Sequence, residues 1–425
     1  MWVWMHFSIV LDERWGKWIM AVGLEDVPGM APRPKRPRLL LWSSVLLVLV
    51  LVGLLFDLLF PDYWGRGGSL WTVFNSSLLV WITSFCVRGL TYIYQVRLAD
   101  GWDDARAQDL TLRFQKGRRA LQVLEARMCT ALSPKGGIDE QRMAGLMSGE
   151  KVIRTQPFRL DGTAVRHSRL YSGGDADPES VLIEALTVVL CDLAHILSKM
   201  PDDLVLNFLL ESNSELEEGQ LRRIWQYVWR QSGIRQSLVA IDNSGLDAVD
   251  KWLDQDCEQD ALLLVVAFQF LPEQPKGTAE VVTGLLLGGS GAPRYHTPIA
   301  FVHRPELIRG TSCDANHYAL QALGWVPIEA SSVEHVWRVG VDVDMSSLVA
   351  MMLASARLPD RAGNNVHDLD LLLGHAGIVA PWLVITIVTQ AIQSGAGAQF
   401  VVNGDVFSES DLWVFVVTPV SPLSH

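Results

Sequence analysis

The segment from Leu39 to Phe60 constrains the fold of this chain more than any other. It is almost uninterrupted aliphatic sequence, LLLWSSVLLVLVLVGLLFDLLF. At about 1.5 Å of rise per residue, a helix of this length crosses a hydrocarbon core of roughly 30 Å. The run is too long for a signal peptide, and no small-residue cleavage site follows it. We therefore predict a transmembrane helix.

A second apolar segment extends from about Ser69 to Tyr94. Its hydrophobic residues are mixed with polar ones, and Trp or Tyr side chains, which favour the headgroup region, occur near both ends. Two structures fit this pattern: a second span, and an interfacial or core helix. We predict a span, which makes residues 39–94 a transmembrane hairpin.

Basic residues set the orientation of this hairpin. They precede the first segment, follow the second, and occur once in the loop between them: Arg33, Lys35, Arg36, Arg38, Arg66, Arg88 and Arg97. Because Lys and Arg favour the cytoplasmic side, we predict that residues 1–38 and the large C-terminal region are both cytoplasmic. If the second segment does not span, the C-terminal region lies on the other side. Translation from Met1 and translation from Met30 both fit the sequence.

Charge and metal-ligand content exclude several classes of protein. The formal net charge is −12, whereas a nucleic-acid binder needs basic surface to displace counterions from phosphates. No two cysteines form a Cys-x-x-Cys pair; they are Cys86, Cys129, Cys191, Cys257 and Cys313. The histidines of the C-terminal region that we considered as metal ligands show no ligand spacing; they are His296, His303, His317, His335 and His367. Residues 288–291, Gly-Gly-Ser-Gly, lack the Lys-Ser/Thr of a phosphate loop. We predict no metal, no cofactor and no nucleic-acid partner.

Residues 95–180 have the composition of a connector. An amphipathic helix is predicted from Trp102 to Leu132, and Pro134 and the glycines after it end the pattern. Residues 138–180 are polar and rich in turn residues, which predicts loops and a short hairpin.

Residues 181–425 alternate between buried-strand and helix patterns, which is typical of an α/β domain. The predicted strands are Asp203–Leu210, one beginning at Ser237, Ala261–Phe270, Ala279–Leu287, Tyr295–His303, His335–Val341, Asp368–Leu373, Gln399–Val402 and Leu412–Thr418. Helices are predicted at Val181–Lys199, Leu216–Trp229, after Asp242, and at Asn316–Leu323, Met345–Ala356 and Pro381–Ser394. The second half (about 295–420) repeats the order of the first (about 200–291).

The turn Asp242-Asn243-Ser244-Gly245-Leu246 joins a predicted strand to a predicted helix. It resembles the Cys-x-Ser-Gly-Leu turn of thiolase-like condensing enzymes, the ketoacyl synthases among them. The resemblance implies a thiolase-like doubled βαβαβ core in α-β-α-β-α layers, with Asp242 in the place of the nucleophilic cysteine. A carboxylate cannot form the acyl thioester on which that reaction depends.

Two other segments fall where the resemblance implies histidines. Residues 373–377, Leu-Gly-His375-Ala-Gly, resemble the family's Gly-His-x-x-Gly-Ala loop. The position of the other histidine falls near Val339–Met345, where the chain has Asp342 and Asp344 instead. We predict no catalytic residue and hence no enzyme activity, with Asp242, Asp342 and His375 as degenerate positions.

Each of these residues also has a structural interpretation. Asp242, Asn243 and Ser244 are typical helix N-caps, and His375 between glycines fits a turn. Asp342 and Asp344 lie on one side of a predicted extended segment and fit a carboxylate pair. A cluster of acidic residues is predicted to face water: Glu211, Glu215, Glu217 and Glu218. The resemblance further implies a dimer edge on the strand after the first motif, through Leu262, Leu264, Val266 and Phe268.

We predict a non-catalytic, membrane-anchored adapter that binds protein. Its layout, a membrane segment followed by an α/β domain, resembles the type VI lipase adapter family of bacterial type VI secretion systems. The resemblance implies an effector and its secretion spike as partners and a multi-pass protein of the bacterial inner membrane. Two alternatives remain: a membrane-associated acyl-processing enzyme that uses His375 and Asp242, and a pseudo-ketosynthase partner subunit of an active condensing enzyme. The partner-subunit alternative implies a heterodimer with the active enzyme, and a homodimer also fits the sequence.

Overall fold

A computed structural model describes residues 27–59, 69–132, 139–171, 177–254, 261–289, 295–310, 315–326, 328–359, 365–408 and 410–420. The chain divides into two compact units, a smaller one at Gly23–Phe114 and a larger one at Gln115–His425. The smaller unit is helical, and the larger unit is a mixed α/β domain.

The smaller unit is built from α1 (Leu39–Leu59) and the first part of α2 (Ser69–Gly117). None of the residues of α1 is buried. Both helices are long and apolar enough to cross a membrane. The second predicted segment is therefore not a separate short helix but the beginning of a 49-residue helix.

The two helices of the smaller unit pack antiparallel. Trp81 Nε1 donates to the carbonyl of Trp42 at 2.7 Å, and Ser77 Oγ donates to the carbonyl of Leu49 at 3.3 Å. Gly53 makes the closest approach, because a Cβ there would lie 2.5 Å from Val73 Cγ1. Small residues at such a crossing let helix backbones approach closely, as in membrane helix pairs. The predicted helical hairpin is thus present in this unit.

The larger unit carries its elements in two series. In chain order they are β1 (Ala120–Cys129), α3 (Asp139–Met147), β2 (Arg154–Pro157), β3 (Ala164–His167), α4 (Pro178–Leu197), β4 (Val205–Asn213), α5 (Glu218–Ser232), β5 (Ser237–Ala240), α6 (Gly245–Asp254), β6 (Leu262–Gln269) and β7 (Val281–Gly288), then β8 (Ala300–His303), β9 (Glu306–Ile308), α7 (Ala315–Gly324), β10 (Val333–Val339), α8 (Ser346–Ser355), β11 (Val366–Asp368), α9 (Leu369–Leu372), α10 (Ala380–Gln393), β12 (Ala398–Gly404) and β13 (Leu412–Pro419). Strands β2 and β3 pair separately, as the short hairpin predicted for the connector.

The main sheet repeats one strand order in its two halves. The first half has the order β5-β4-β6-β7-β1 and the second β11-β10-β12-β13-β8. Leaving aside the separate β2–β3 pair and the short β9, which pairs with β13, each half places its third, second, fourth, fifth and first strands along the chain in this order. In both halves the fifth strand runs antiparallel to its neighbours. The halves join where β1 pairs antiparallel with β8. The doubled core predicted from the sequence is confirmed.

Three apolar clusters separate five layers. Helices α4 and α5 cover one face of the first-half strands, and α7 and α8 cover one face of the second-half strands. Helices α6 and α10 share the central cluster with strands of both halves. Strand β6 packs against helices on both faces of the sheet, because its side chains alternate between them. Leu263 and Val265 belong to the central cluster, whereas Leu264 belongs to the outer one. The α-β-α-β-α layering is confirmed.

Helix α4 shows why apolar composition alone does not identify a span. It is the third helix of the described residues that is long and apolar enough to cross a membrane. Half of its apolar window is buried, however, and residues such as Leu186 and Leu190 pack in the outer cluster of the first half. In this structure α4 is a layer of the α/β domain.

The structure corrects the predicted dimer edge. Strand β6 pairs along its length with β4 on one side and β7 on the other, so it has no free hydrogen-bonding edge. The four residues assigned to that edge lie in the outer cluster beneath α4 and α5: Leu262, Leu264, Val266 and Phe268. The edge strand of this half is β5, which we predicted to be buried and which is largely exposed.

Two element predictions are also wrong. The predicted helix Trp102–Leu132 ends at Gly117, and residues 120–129 form β1 in the middle of the sheet. The connector therefore supplies the first strand of the fold. The predicted strand Asp368–Leu373 is instead the end of β11 followed by the helical turn α9.

Candidate functional site

A cleft lies at the N-terminal ends of the two central helices, α6 and α10. It has a volume of about 220 Å³. Its walls include Ser244 and Gly245 at the start of α6, Pro381 at the start of α10, Asn403 near the end of β12, and Phe407 after that strand. The end of the motif turn, residues 244–246, thus borders a cavity.

Glu211 links the first turns of the two central helices. We predicted that it faces water, but the residue is only 8% exposed. Its Oε1 accepts a hydrogen bond from the backbone N–H of Gly245 at 2.6 Å, and its Oε2 accepts one from Trp382 Nε1 at 2.7 Å. Burial raises the pKa of Glu211, and these two donors act in the opposite direction.

Asp242 lies at the exposed rim of this region. The helix begins at Gly245, and Ser244 supplies the first helical carbonyl, to Ala248. The first backbone N–H of α6 is capped by Glu211, so the N-cap interpretation of Asp242 is wrong. Among the residues that the structure describes, no side chain or backbone group hydrogen-bonds to the Asp242 carboxylate. Its neighbour Asn243 accepts from Lys251 Nζ at 3.2 Å.

His375 stands in a group of carboxylates. Its imidazole is 60% exposed, and Nδ1 lies 3.4 Å from Asp370 Oδ1. The Asp370 carboxylate raises the pKa of His375, with further contributions from Asp368 and Asp342. The structure thus brings Asp342 and His375 into one electrostatic environment, and within the described residues no hydrogen bond or ion pair joins Asp242 to either of them.

The loop around His375 is fixed by its backbone. The carbonyl of His375 accepts from Gln269 Nε2 at 2.7 Å, and its N–H donates to the carbonyl of Gly277 at 2.9 Å. Gly374 has φ +102°, and a Cβ there would lie 2.6 Å from the carbonyl oxygen of Thr278. The glycine is therefore required by close packing of this loop on the first half of the domain, which supports the turn interpretation.

The pairing proposed for Asp342 and Asp344 does not occur on an extended segment. The residues after β10 form a turn, in which Met345 N–H donates to the carbonyl of Asp342. Both carboxylates are exposed, and Asp342 Oδ1 accepts from the N–H of Val343 at 2.5 Å. Asp342 is thus a turn residue with a local partner.

A buried network of charges lies beside the central helices. Arg304, which is 1% exposed, donates to Asp250 at 2.6 Å and to Asp254 at 2.5 Å. Glu306 accepts from Trp325 Nε1 at 2.5 Å. Burial raises the pKa of Asp250 to about 6 and that of Glu306 to about 7. No local pattern predicts this network, because Asp250, Arg304 and Trp325 are brought together only by the fold.

The described residues contain no group of three His, Cys, Asp or Glu side chains arranged to hold a metal ion. Residues 290 and 291 of the glycine-rich turn, together with Cys257 and Cys313, lie outside the described residues.

The fold and the cleft together define a doubled α/β domain in which Asp242 occupies the turn before the first central helix. No family model matches the chain, and no curated protein matches its sequence. Its backbone is similar to that of solved structures described as follows. The ishigamide ketosynthase/chain length factor has 14% identity and a TM-score of 0.49, over 71% of this chain and 100% of that one. The PfaC keto synthase-chain length factor has 10% identity and a TM-score of 0.49, over 72% of this chain and 43% of that one. Human mitochondrial 3-ketoacyl-CoA thiolase has 9% identity and a TM-score of 0.42, over 72% and 99%.

Proposed function

We propose that this chain is a membrane-anchored, non-catalytic thiolase-like protein that binds a protein partner. The observation that carries the proposal is Asp242, an exposed carboxylate in the turn that opens the first central helix. Acyl transfer at this turn needs a group that attacks a thioester and then carries the acyl chain. A carboxylate cannot form the acyl thioester that a cysteine forms there.

The other two positions support the same conclusion. Asp342 takes the place of one histidine and has its carboxylate on a local turn. His375 is retained, but its ring lies against Asp370 and its backbone fastens the loop to the first half of the domain. The acyl-processing alternative requires His375 and Asp242 to act as a pair, and no contact between them supports it.

The anchor in this proposal is the α1–α2 hairpin. The surface of α1 is apolar and exposed along its length, with Leu40, Leu47 and Leu58 among its most exposed residues. An exposed apolar helix surface of this length is stable in the hydrocarbon core of a bilayer. With the basic residues at both ends, this gives a multi-pass protein of the bacterial inner membrane whose α/β domain lies in the cytoplasm.

The binding surface in this proposal is the free edge of β5. The strand lies at the end of the sheet, pairs only with β4 among the described strands, and exposes Val239 by 50%. An unpaired strand edge offers backbone donors and acceptors to a strand of another chain. A partner with the same doubled fold would pair there edge to edge. This favours a pseudo-ketosynthase partner subunit of an active condensing enzyme.

A second candidate follows from the division of the chain into an anchor and a separate domain. A helical hairpin unit and an α/β unit fit a tether that holds cargo at the membrane. In this case the partner is an effector of a type VI secretion system together with its spike protein. The same β5 edge serves as the docking strand.

Co-purification separates the two candidates. The full chain is solubilised in detergent, captured by a C-terminal tag, and the bound proteins are identified by mass spectrometry. Recovery of a condensing enzyme or an acyl carrier protein supports the partner-subunit function. Recovery of an effector and a spike protein supports the adapter function. Turnover of an acyl thioester by the purified chain, lost on Asp242→Ala, would overturn the non-catalytic proposal.

A further inference from the structure

A second cavity lies at the other end of α10, around its C-terminus. It has a volume of about 610 Å³, within the range of small-molecule sites. Methionines of α3, Met143 and Met147, form part of its wall, and Ala391 adds apolar surface. Glu334 and His335, at the start of β10, contribute polar groups. This cavity shares no lining residue with the cleft at the N-terminal ends of the helices.

Two side chains of this cavity, Gln390 and Glu334, offer hydrogen-bond acceptors. Gln390 is 2% exposed, and its Oε1 has no hydrogen-bond partner among the described residues, while its Nε2 donates to the carbonyl of Ala126 at 3.4 Å. The carboxylate of Glu334 accepts from the N–H of Gly397 at 2.5 Å and keeps further acceptor capacity. The C-terminus of α10 adds partial negative charge. Among the side chains that the structure describes, no Lys or Arg lines the cavity.

His335 does not neutralise this negative charge. Its Nε2 lies 3.5 Å from Glu334 Oε1, and its Nδ1 lies 3.2 Å from Nε2 of His367. Burial lowers the pKa of His335, and burial together with His335 lowers that of His367 to about 4. Both rings are therefore neutral near pH 7, and an imidazole N–H directed at Glu334 orients the carboxylate without cancelling its charge.

We propose that this cavity binds a primary alkylammonium group, carried by a free small amine or by a lysine side chain. The ammonium has three donors, which are shared between the Glu334 carboxylate and the Gln390 amide oxygen. Its alkyl chain lies against Met143 and Met147. The Glu334 carboxylate repels an anionic ligand, and a neutral alcohol lacks the charge-assisted hydrogen bond that an ammonium donates to Glu334.

Calorimetry on the detergent-solubilised full chain tests the site with n-pentylammonium as the probe. We expect n-pentylammonium to bind, and we expect n-pentanol and pentanoate not to bind. Nα-acetyl-lysine methylamide, titrated in parallel, distinguishes the two sources: its binding shows that a lysine side chain is accepted, and binding of pentylammonium alone restricts the site to free amines. If neither amine binds, or if pentanol binds as tightly as pentylammonium, the proposal is overturned.

Variants then assign the binding to this cavity. Glu334→Gln retains an oxygen for Gly397 N–H but removes the charge, and we expect pentylammonium affinity to fall about tenfold. The matched control is Glu218→Gln, because the Glu218 side chain is 87% exposed on α5; its affinity should equal that of the natural chain. Ala144→Lys, at an exposed position of the cavity wall, places a competing ammonium there and should abolish binding. Equal affinity in all three variants would show that the amine binds elsewhere.

Discussion

Glu211 and Trp382 are 171 positions apart in the chain and are joined by a 2.7 Å hydrogen bond from the indole Nε1 to the carboxylate. Glu211 lies in β4 of the first half, and Trp382 lies in the first turn of α10 in the second half. The other carboxylate oxygen caps α6 at Gly245. One buried acidic group therefore fixes the relative position of both central helices.

Replacing Glu211 with glutamine should destabilise the domain. The amide keeps one acceptor oxygen but sets an NH₂ group against either Gly245 N–H or Trp382 Nε1, leaving a buried donor without a partner. We expect a loss of about 1–3 kcal/mol in the free energy of unfolding, measured by urea denaturation of the solubilised full chain. Glu215→Gln, at an exposed position four residues further on, should be neutral. Equal stability of the two variants would contradict the bridging role.

Asp242→Ala should leave the domain as stable as before. The carboxylate is exposed and makes no hydrogen bond to any described residue, so its removal should change the free energy of unfolding by less than about 0.5 kcal/mol. The partner recovered by co-purification should also be unchanged. A loss of about 1 kcal/mol, the usual effect of deleting a helix cap, would restore the capping interpretation.

Glu306 should make the stability of the domain depend on pH. Burial raises its pKa from 4.5 to about 7 in the folded chain, so the folded state binds the proton more tightly than the unfolded state does. The stabilisation is complete below pH 4.5 and is lost as the pH rises through about 7, a change of about 3 kcal/mol.

Comparison with Glu306→Gln isolates this contribution. The difference in unfolding free energy between the natural chain and the variant, measured by urea denaturation from pH 4.5 to pH 8, should decline as the pH rises. Glu329→Gln, at an exposed position, should show no such trend. A difference that stays constant with pH would mean that Glu306 has an ordinary pKa.

Val239→Lys should weaken partner binding through the β5 edge. A lysine on an exposed edge strand opposes pairing with another strand, and the side chain of Val239 is half-exposed. We expect partner recovery to fall at least several-fold in co-purification. Leu320→Lys alters an equally exposed residue on α7, 49% exposed, and should not change recovery. Loss of the partner in both variants, or in neither, would place the interface elsewhere.

Gly53→Leu should separate α1 from α2. The new side chain would collide with Val73, since even a Cβ would lie 2.5 Å from Val73 Cγ1. Cysteines introduced at Leu49 and Ser77, in a chain otherwise free of cysteine, should cross-link on mild oxidation, and Gly53→Leu should reduce that cross-linking strongly. Gly89→Leu, where a Cβ meets nothing within 4 Å, should leave cross-linking intact. If the Gly53→Leu variant cross-links as well as the Gly89→Leu variant, α1 and α2 do not pack closely at Gly53.

The strands that sequence reasoning located best are those with long apolar runs. Residues 262–269 and 412–417 are buried on both faces, and an apolar run of this length between turn residues favours a buried strand. Strand β1 was missed because Glu125 and Arg127 interrupt its apolar run and create a helical pattern. In the fold, Arg127 lies 3.2 Å from Asp192 of α4, a partner that no local pattern reveals.

The candidate site was predictable in part. The turn at Asp242 and the glycine loop at His375 were located from local patterns, and both lie where a central helix begins. The burial of Glu211 was not predictable, because the groups that satisfy its carboxylate belong to residues 245 and 382. A charged residue in an acidic sequence is solvent-exposed by default, and only tertiary contacts reverse that expectation.

The position of β1 at the centre of the sheet has a consequence for synthesis of the chain. Its two neighbours, β7 and β8, begin at Val281 and Ala300, whereas β1 ends at Cys129. At translation rates of about 5–20 residues per second, a gap of about 150 residues corresponds to roughly 8–30 s. During that interval the nascent strand has no partner on either edge, with its backbone donors and acceptors open to incorrect pairing. The central pairings of β1 therefore form only after residues 281–303 have been synthesised.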